Sequence, residues 1–186
     1  MCAFLFGPKN PTKDWQRAAG LQLECDVMQG VLNAVHLGDP LDDLHFLGPI
    51  EDRSGLKTQE YRYFSLGLSI GCYNSENLID CFELIVKDAD CPKYHPYAGR
   101  CHMEGVDLAL HQIREQSLVE RFGPPYWKDE DDEEAILFYE WPNLEWQIEL
   151  APDGSMNRII VTRNPLMANS DQRNAYGVDK PWPPEM

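Results

Sequence analysis

The stretch DPLDDLHFLGPI, residues 39–50, decides how the rest of the chain is interpreted. Leucines recur along it at every third position, which indicates a short amphipathic helix with one apolar face. Asp39 and Pro40 favour a helix start, because aspartate accepts orphan amide hydrogens and proline lacks the donor that would be unsatisfied there. Gly48 and Pro49 favour the helix end. The leucines on the predicted apolar face are Leu41, Leu44 and Leu47.

A similar stretch, QSLVERFGPPY, returns at residues 116–126. Residues 47–49 match residues 122–124, and Tyr63 matches Tyr139, at a spacing of about 76 positions. Each stretch is followed by a polar or acidic loop and then by segments of alternating pattern. Ordered matches across a helix end, a loop and several strand patterns predict a tandem repeat of one small unit.

Length and composition fit a folded protein with a core. The chain has 186 residues, of which 43% are hydrophobic and 11% aromatic. Two units of about 75 residues are each marginal alone, so they should pack together or share one sheet. The 31 acidic and 16 basic residues give a formal charge of −15, which makes nucleic acid and anionic membranes unfavourable partners. A basic protein partner, a cation or a role of the charge in solubility alone remain as alternatives.

No apolar run approaches the 18 residues that a membrane span needs. The start of the chain is too short and lacks the basic leading region of a secretory signal, so a cytoplasmic location is expected. The six cysteines include no C-x-x-C pair, and reduced thiols, mostly buried, are expected.

The sequence predicts an α+β fold of two tandem repeats, each a short helical segment packed on an antiparallel meander of three or four strands. Strands are expected at 21–27, 61–66, 68–73, 78–86, 135–141, 144–150 and 156–162. The expected division of the chain is an N-terminal arm (1–20), repeat 1 (21–90), a connector (91–104), repeat 2 (105–163) and an extended C-terminal tail (164–186).

A helical segment that ends in Gly-Pro, a loop and a strand meander, present twice, resembles the tandem-repeat fold of the β-lactamase inhibitor proteins. Single copies of a similar unit occur in small outer-membrane assembly lipoproteins. The resemblance covers roughly residues 30–162 and implies protein binding through the open face of the sheet. This chain has neither a lipobox nor cysteines at matching places in the two copies, so the inhibitor activity is not implied. The residues that carry the resemblance are Leu44, Leu47, Gly48, Pro49, Tyr63 and Leu68 in the first copy and Val119, Phe122, Gly123, Pro124, Tyr139 and Leu144 in the second.

Two features of the second repeat are candidates for partner binding. By alternation Trp146 faces the core, and Glu145, Gln147 and Glu149 face outward on the open sheet face. Tyr139 and Trp141 share a face and are expected to join Glu145 and Glu149 in a binding surface, or else to lie under the tail. The acidic run 129–134, with Asp131 and Asp132 at its centre, is a candidate to hold a calcium ion or to steer a basic partner, or else is simply solvated. It lacks the alternating ligand spacing and the central glycine of a calcium loop.

The connector is the other candidate site. Cys91, His95, Cys101 and His102 are four potential zinc ligands within twelve residues, although their spacing matches no common zinc pattern. A Cys91–Cys101 disulfide, a thiol-dependent activity with His95 as base, and an ordinary loop are the alternatives. No catalytic motif is present, so we expect a non-catalytic protein-binding module without a cofactor. A small-molecule carrier would need an apolar pocket between the units.

Overall fold

Two β-sheets form the body of the protein, and the computed structural model describes residues 9–88, 91–103 and 105–184. The strands are β1 (Glu24–Asp26), β2 (Val31–Leu32), β3 (Val35–His36), β4 (Glu60–Tyr63), β5 (Leu68–Gly71), β6 (Cys81–Ile85), β7 (Arg100–Met103), β8 (Val106–Leu108), β9 (Trp127–Glu130), β10 (Ala135–Trp141), β11 (Leu144–Leu150) and β12 (Met156–Thr162). The first sheet has the order β3-β2-β1-β7-β8, and the second has the order β4-β5-β6-β12-β11-β10-β9. Together with the short helices they confirm the predicted α+β class.

The helices are short. They are α1 (Glu115–Phe122), α2 (Ser170–Ala175) and 3-10 helices at Leu41–Leu47, Ser54–Lys57, Phe64–Leu66, Leu110–Gln112 and Leu166–Ala168. Within the described ranges, none is long and apolar enough to cross a membrane.

The predicted helix in the first stretch is a 3-10 helix rather than an α-helix. Leu41, Leu44 and Leu47 are completely buried, and their three-residue spacing matches the three residues per turn of a 3-10 helix. Gly48 ends this helix at φ 80° and ψ −171°, and Gly123 ends α1 at φ 78° and ψ −175°. Both predicted helix ends are confirmed, and both glycines have the same left-handed φ, which a side chain would strain.

The start of the first helix differs from the prediction. The Asp39 carboxylate does not cap the helix; it accepts the backbone N–H of His36 at 2.8 Å. Pro40, with φ −60° and ψ 141°, is the last extended residue before the helix.

The seven-stranded sheet joins two meanders, β4-β5-β6 and β12-β11-β10, at the central β6–β12 pair. In that pair Phe82 lies opposite Val161 and Leu84 lies opposite Ile159, and all four side chains are buried. The two meanders therefore share one core across this pair. Their interpretation as tandem repeats stays a prediction.

The hairpin β4–β5 of one meander and the hairpin β10–β11 of the other differ in register. Leu68 lies opposite Tyr63, whereas Tyr139 lies opposite Trp146 and not Leu144. A shorter turn joins β10 to β11 than joins β4 to β5, and turn length fixes hairpin register. When Tyr63 is aligned with Tyr139, the residue that corresponds to Leu68 is therefore Trp146 and not Leu144.

The five-stranded sheet was not predicted as a unit. Its central pair is parallel, with Cys25 of β1 beside Cys101 of β7, and β7 lies within the predicted connector, 91–104. The Trp146 indole Nε1–H donates to the Val27 carbonyl at 2.9 Å and so ties the two sheets together.

The predicted tail, residues 164–186, is not extended as expected. It contains a 3-10 helix and α2, and the Asn169 side chain caps α2 by accepting the N–H groups of Asp171 and Gln172. Met167 is completely buried, so the tail folds back onto the sheet.

The N-terminal arm is described from residue 9 and lies beside the first helix end. The Thr12 hydroxyl accepts the N–H of Ile50 at 3.0 Å, and the Arg17 guanidinium donates to the Leu47 carbonyl at 3.1 Å.

Candidate functional site

The seven-stranded sheet has an inner face, which packs on the core, and an outer face. Directly opposed residues of an antiparallel pair share a face, and successive residues along a strand alternate between faces. The outer face carries Glu60, Arg62, Ser69, Cys81, Glu83, Phe138, Glu140, Glu145, Gln147, Glu149, Arg158, Ile160 and Thr162.

The aromatic part of the predicted binding surface lies on the inner face instead. Tyr139 is opposite the completely buried Trp146, and Trp141 points the same way two residues further on. The two-residue turn between β10 and β11 fixes this register. The prediction that these two aromatic residues form one surface with Glu145 and Glu149 is therefore wrong.

These inner aromatic side chains hold α1 against the sheet. The rings of Phe122 and Trp146 lie edge to face at 5.5 Å between centroids, and the rings of Trp141 and Trp146 are tilted against each other at 5.0 Å. The Tyr139 hydroxyl donates to the Gly123 carbonyl at 3.1 Å. Their role is structural, since edge-to-face packing of this kind stabilises a core.

The outer face is covered at both ends. Over β5, the Tyr94 ring packs edge to face on Phe64 at 4.7 Å, and its hydroxyl is hydrogen-bonded to Ser69. Over β10, Tyr176 from the tail packs on Phe138 at 5.7 Å. The centre of the face, at β6 and β12, lies between these two covers.

At this centre is a groove of about 290 Å³, which we call the outer-face groove. Tyr73 forms part of its wall and is 57% exposed. Beneath it the Cys81 thiol is buried, with Sγ 3.9 Å from the Tyr73 hydroxyl. The groove is lined by Glu60, Tyr73, Cys81, Glu83, Gln147, Ile160, Thr162, Asn164 and Leu166.

Two arginines beside the groove are each shared by two carboxylates. Each arginine and its two carboxylates therefore carry one more negative charge than positive charge. Neither arginine is therefore free to attract an anion, and the electrostatic field favours a cation. The contacts are Arg62 Nη1–Asp52 Oδ2 at 3.4 Å, Arg62 Nη2–Glu60 Oε2 at 2.5 Å, Arg158 Nη1–Glu83 Oε1 at 2.7 Å and Arg158 Nε–Glu149 Oε2 at 2.5 Å.

The three polar residues predicted to face outward on β11 all lie on the outer face, but in different surroundings. Gln147 lines the groove. Glu149 is half-buried against Arg158, and burial raises the pKa of Glu149 although the guanidinium lowers it. Glu145 is completely buried beneath the tail, so it is not available to a partner while the tail is docked.

The acidic run begins in β9 and ends in the turn before β10. The Asp131 carboxylate accepts the N–H groups of Glu133 and Glu134 at 2.8 and 2.9 Å, which closes the turn. Asp131 and Asp132 are exposed. Lys128 in β9 is already paired with acidic neighbours, so the end of the strand is negatively charged.

The connector does not assemble the predicted zinc ligands. Cys101 is buried beside Cys25, whereas the next residue, His102, turns to the opposite side of β7, where Nδ1 is 2.6 Å from Asp107. His95 is exposed. Across the described ranges, no group of three or more His, Cys, Asp or Glu side chains could hold a metal ion. Adjacent residues of a strand point to opposite faces, which separates Cys101 from His102.

In the described ranges, five cysteine thiols are free, and all but that of Cys91 are buried. Cys91 and Cys101 are not joined, so the alternative of a disulfide between them is wrong. Burial, with nearby acidic groups, raises the pKa of Cys81 and of Cys101 to about 12. The nucleophilic thiolate is therefore disfavoured at neutral pH at both positions.

A second cavity, of about 380 Å³, lies beside the connector, and its lining mixes apolar side chains with charged ones. Its lining includes Val86, Tyr97, Arg100, Asp107, Leu108 and His111.

Sequence reasoning missed most of the groove because its walls come from distant segments. Tyr73 and Cys81 come from the first meander, whereas Asn164 and Leu166 come from the start of the tail. The clean alternation of β11 is the signal that did identify Gln147.

Comparison with known proteins adds one structural likeness. No family model and no curated protein sequence matches the chain. The chain is similar to the crystal structure of YjgB, a DUF4309 family protein from Bacillus subtilis subsp. subtilis str. 168, with a TM-score of 0.47 and 13% sequence identity. That match covers 67% of this chain and 78% of that chain, and at this level of similarity it carries no inference about function.

Proposed function

We propose that this chain is a non-catalytic protein-binding module that holds a basic peptide segment in the outer-face groove. The observation that carries the proposal is the groove itself: the centre of a sheet face, left open between two covers, with an exposed aromatic wall and surplus carboxylates.

Tyr73 is the aromatic anchor in this proposal. A tyrosine that is 57% exposed beside apolar Ile160 and Leu166 can bury its ring against a partner while its hydroxyl remains hydrogen-bonded. Tyrosine is enriched among the few interface residues that supply most of the binding free energy.

The charge around the groove supports a basic occupant. Glu60 and Glu83 line the groove, and each shares its arginine with a second carboxylate. The negative charge of these carboxylates is therefore only partly neutralised, and a lysine or arginine of a partner can form an ion pair with it. The exposed turn at Asp131 and Asp132, in a chain of charge −15, would accelerate the approach of such a partner at low salt.

The chemistry of the groove supports binding over a thiol-dependent reaction. Its cysteine, Cys81, has its pKa raised to about 12, mainly by burial, and hydrogen-bonds weakly to Tyr73 rather than to a base. A nucleophilic cysteine needs the opposite change in pKa and a neighbouring cation or base.

A peptide-display selection tests the proposal. A random twelve-residue library would be selected on the full chain, and the affinities of enriched peptides measured by titration calorimetry. We expect enrichment of lysine and arginine, and at least about a tenfold weaker Kd for Tyr73→Ala, the effect of truncating an aromatic anchor.

Val106→Ala is the matched control, since Val106 is 50% exposed on β8 of the other sheet. We expect it to bind as the unaltered chain does. Enrichment of acidic peptides, an unchanged Kd for Tyr73→Ala, or an equal loss for Val106→Ala would each contradict the proposal.

A further inference from the structure

Two carboxyl groups face each other beneath the tail. Glu140 of β10 and Glu145 of β11 are directly opposed on the outer face. Glu145 is completely buried; its Oε1 accepts from the Gln147 amide at 2.6 Å, and its Oε2 accepts the backbone N–H of Met167 at 3.1 Å. Glu145 therefore binds the backbone of the tail.

The other acid binds the tail through a side chain. Glu140 Oε2 accepts the indole N–H of Trp182 at 3.1 Å, whereas its Oε1 is buried without a donor. Directly opposed side chains of an antiparallel pair have Cβ atoms about 4.5–5.5 Å apart, so the Glu140 and Glu145 carboxyl groups lie close together. Two carboxylates that are close together in a largely buried site repel each other, and one proton between them replaces that repulsion with a hydrogen bond.

We call residues 164–184 the strap. Beyond the carboxyl pair, two hydrogen bonds to Tyr126 hold the strap. The Tyr126 hydroxyl donates to the Lys180 carbonyl at 3.0 Å, and the Lys180 ammonium donates to the Tyr126 carbonyl at 2.8 Å. Val178 packs with Phe138 in a small apolar cluster that is separate from the main core. The strap also supplies one wall of the outer-face groove, through Asn164 and Leu166.

We propose that the strap is a proton-dependent cover, which docks on the outer face while the Glu140–Glu145 pair holds one proton and is released when the pair loses it. Release would bare Phe138 and Tyr126 next to the groove and would extend the surface that a partner can contact. The docking of the strap does not depend on the proposed function; its effect on binding does.

The charges around the pair favour this assignment. Burial, followed by the neighbouring Glu145, raises the pKa of Glu140 to about 8, although Trp182 and Arg173 lower it. The Arg173 guanidinium is itself held by the Met167 and Ala168 carbonyls at 2.6 and 3.1 Å. Tyr126 also lies near Glu140, and burial followed by that carboxyl raises its pKa although Arg173 lowers it; the Lys180 ammonium of the strap is held by the Tyr126 carbonyl.

The direction of the pH dependence follows from linkage. The docked pKa of about 8 lies above the ordinary glutamate value of 4.5, so protonation stabilises the docked strap. The stabilisation is complete below pH 4.5 and is lost as the pH rises to about 8. Over that interval the constant for strap opening should rise by at most about tenfold per pH unit, and it should level off above pH 8.

Amide hydrogen exchange on the full chain, read by NMR between pH 5 and 9, tests the proposal. After division by the intrinsic exchange rates, the protection factors of Met167, Arg173 and Val178 should fall by up to about tenfold per pH unit to pH 8. Amides in the centre of β12 should show no such trend. Strap protection that is independent of pH would overturn the proposal.

The variant Glu140→Gln keeps an acceptor for Trp182 and a donor for Glu145, so it imitates the protonated pair. It should hold the strap protected across the whole pH range, whereas Glu133→Gln, in the exposed turn, should behave as the unaltered chain does. A Glu140→Gln strap that opens with pH like the unaltered one would refute the mechanism.

Carbon-13 NMR of the side-chain carboxyls, carried out on the unaltered chain, needs no variant to fold. If both Glu140 and Glu145 titrate near 4.5, the proposal fails. If the strap titrates as expected but Tyr73→Ala leaves peptide affinity unchanged, the cover stands and the proposed function falls.

Discussion

Replacement of Trp146 by phenylalanine should destabilise the fold by about 2–4 kcal/mol. The indole N–H satisfies the buried Val27 carbonyl at 2.9 Å, and leaving that acceptor unpaired costs about 1–3 kcal/mol. The smaller ring also leaves a void of about 40 Å³ beneath a completely buried position, which adds about 1 kcal/mol at the usual dependence on cavity volume. Urea unfolding followed by far-ultraviolet circular dichroism measures the loss without relying on tryptophan fluorescence.

The matched control is Trp127→Phe. Trp127 is half-buried and its indole nitrogen is buried without a partner, so removal of the N–H takes away an unsatisfied donor. We expect a loss of less than about 1 kcal/mol there. If Trp146→Phe is no more destabilising than Trp127→Phe, the indole does not join the two sheets in the way described here.

Two further predictions concern stability. Gly48→Ala and Gly123→Ala should each lose about 1–3 kcal/mol, because a positive φ combined with ψ of −171° or −175° is a conformation that essentially only glycine adopts. Gly48→Ala should lose at least about 1 kcal/mol more, because its added Cβ would lie 2.9 Å from the backbone nitrogen of Arg17, whereas that of Gly123→Ala meets open space. Equal losses in urea unfolding would contradict this. Arg158→Gln should lose about 1–3 kcal/mol at pH 7, because Glu83 and Glu149 then repel each other without the guanidinium between them. The loss should shrink as the pH falls, because burial already raises the pKa of Glu149 and a proton on Glu149 removes the repulsion. A loss that is constant with pH would count against the ion pairs.

Local patterns in the sequence were sufficient to predict the bounds of the strands in the second meander. The predicted bounds 135–141, 144–150 and 156–162 are those observed, because alternation over seven residues is a strong signal and short turns separate the strands. The faces of β11 followed from the same alternation. The sheet face on which Tyr139 lies was predicted wrongly, because that face depends on the register of β10 against β11. The length of the turn between these strands, two residues, contained the information that fixes the register.

The pairing of strands from distant segments could not be predicted from the sequence. The parallel pair of β1 and β7 joins segments that are far apart along the chain, and strands of three or four residues are too short to show a detectable period. The tail carried one signal that was missed: Asn169 before Ser170 and Asp171 is a helix start. The burial of Glu145 followed from where that tail docks, which no local pattern encodes.

Chemical-shift mapping tests the central claim, that the outer-face groove is the binding surface, most directly. The nitrogen-15-labelled chain would be titrated with the tightest basic peptide from the display selection. We predict that the shifted amides lie on β6, β12 and the segment around Tyr73, next to Cys81 and Ile160. Shifts concentrated on β8 or α1, or a selection that yields no basic peptide, would contradict it.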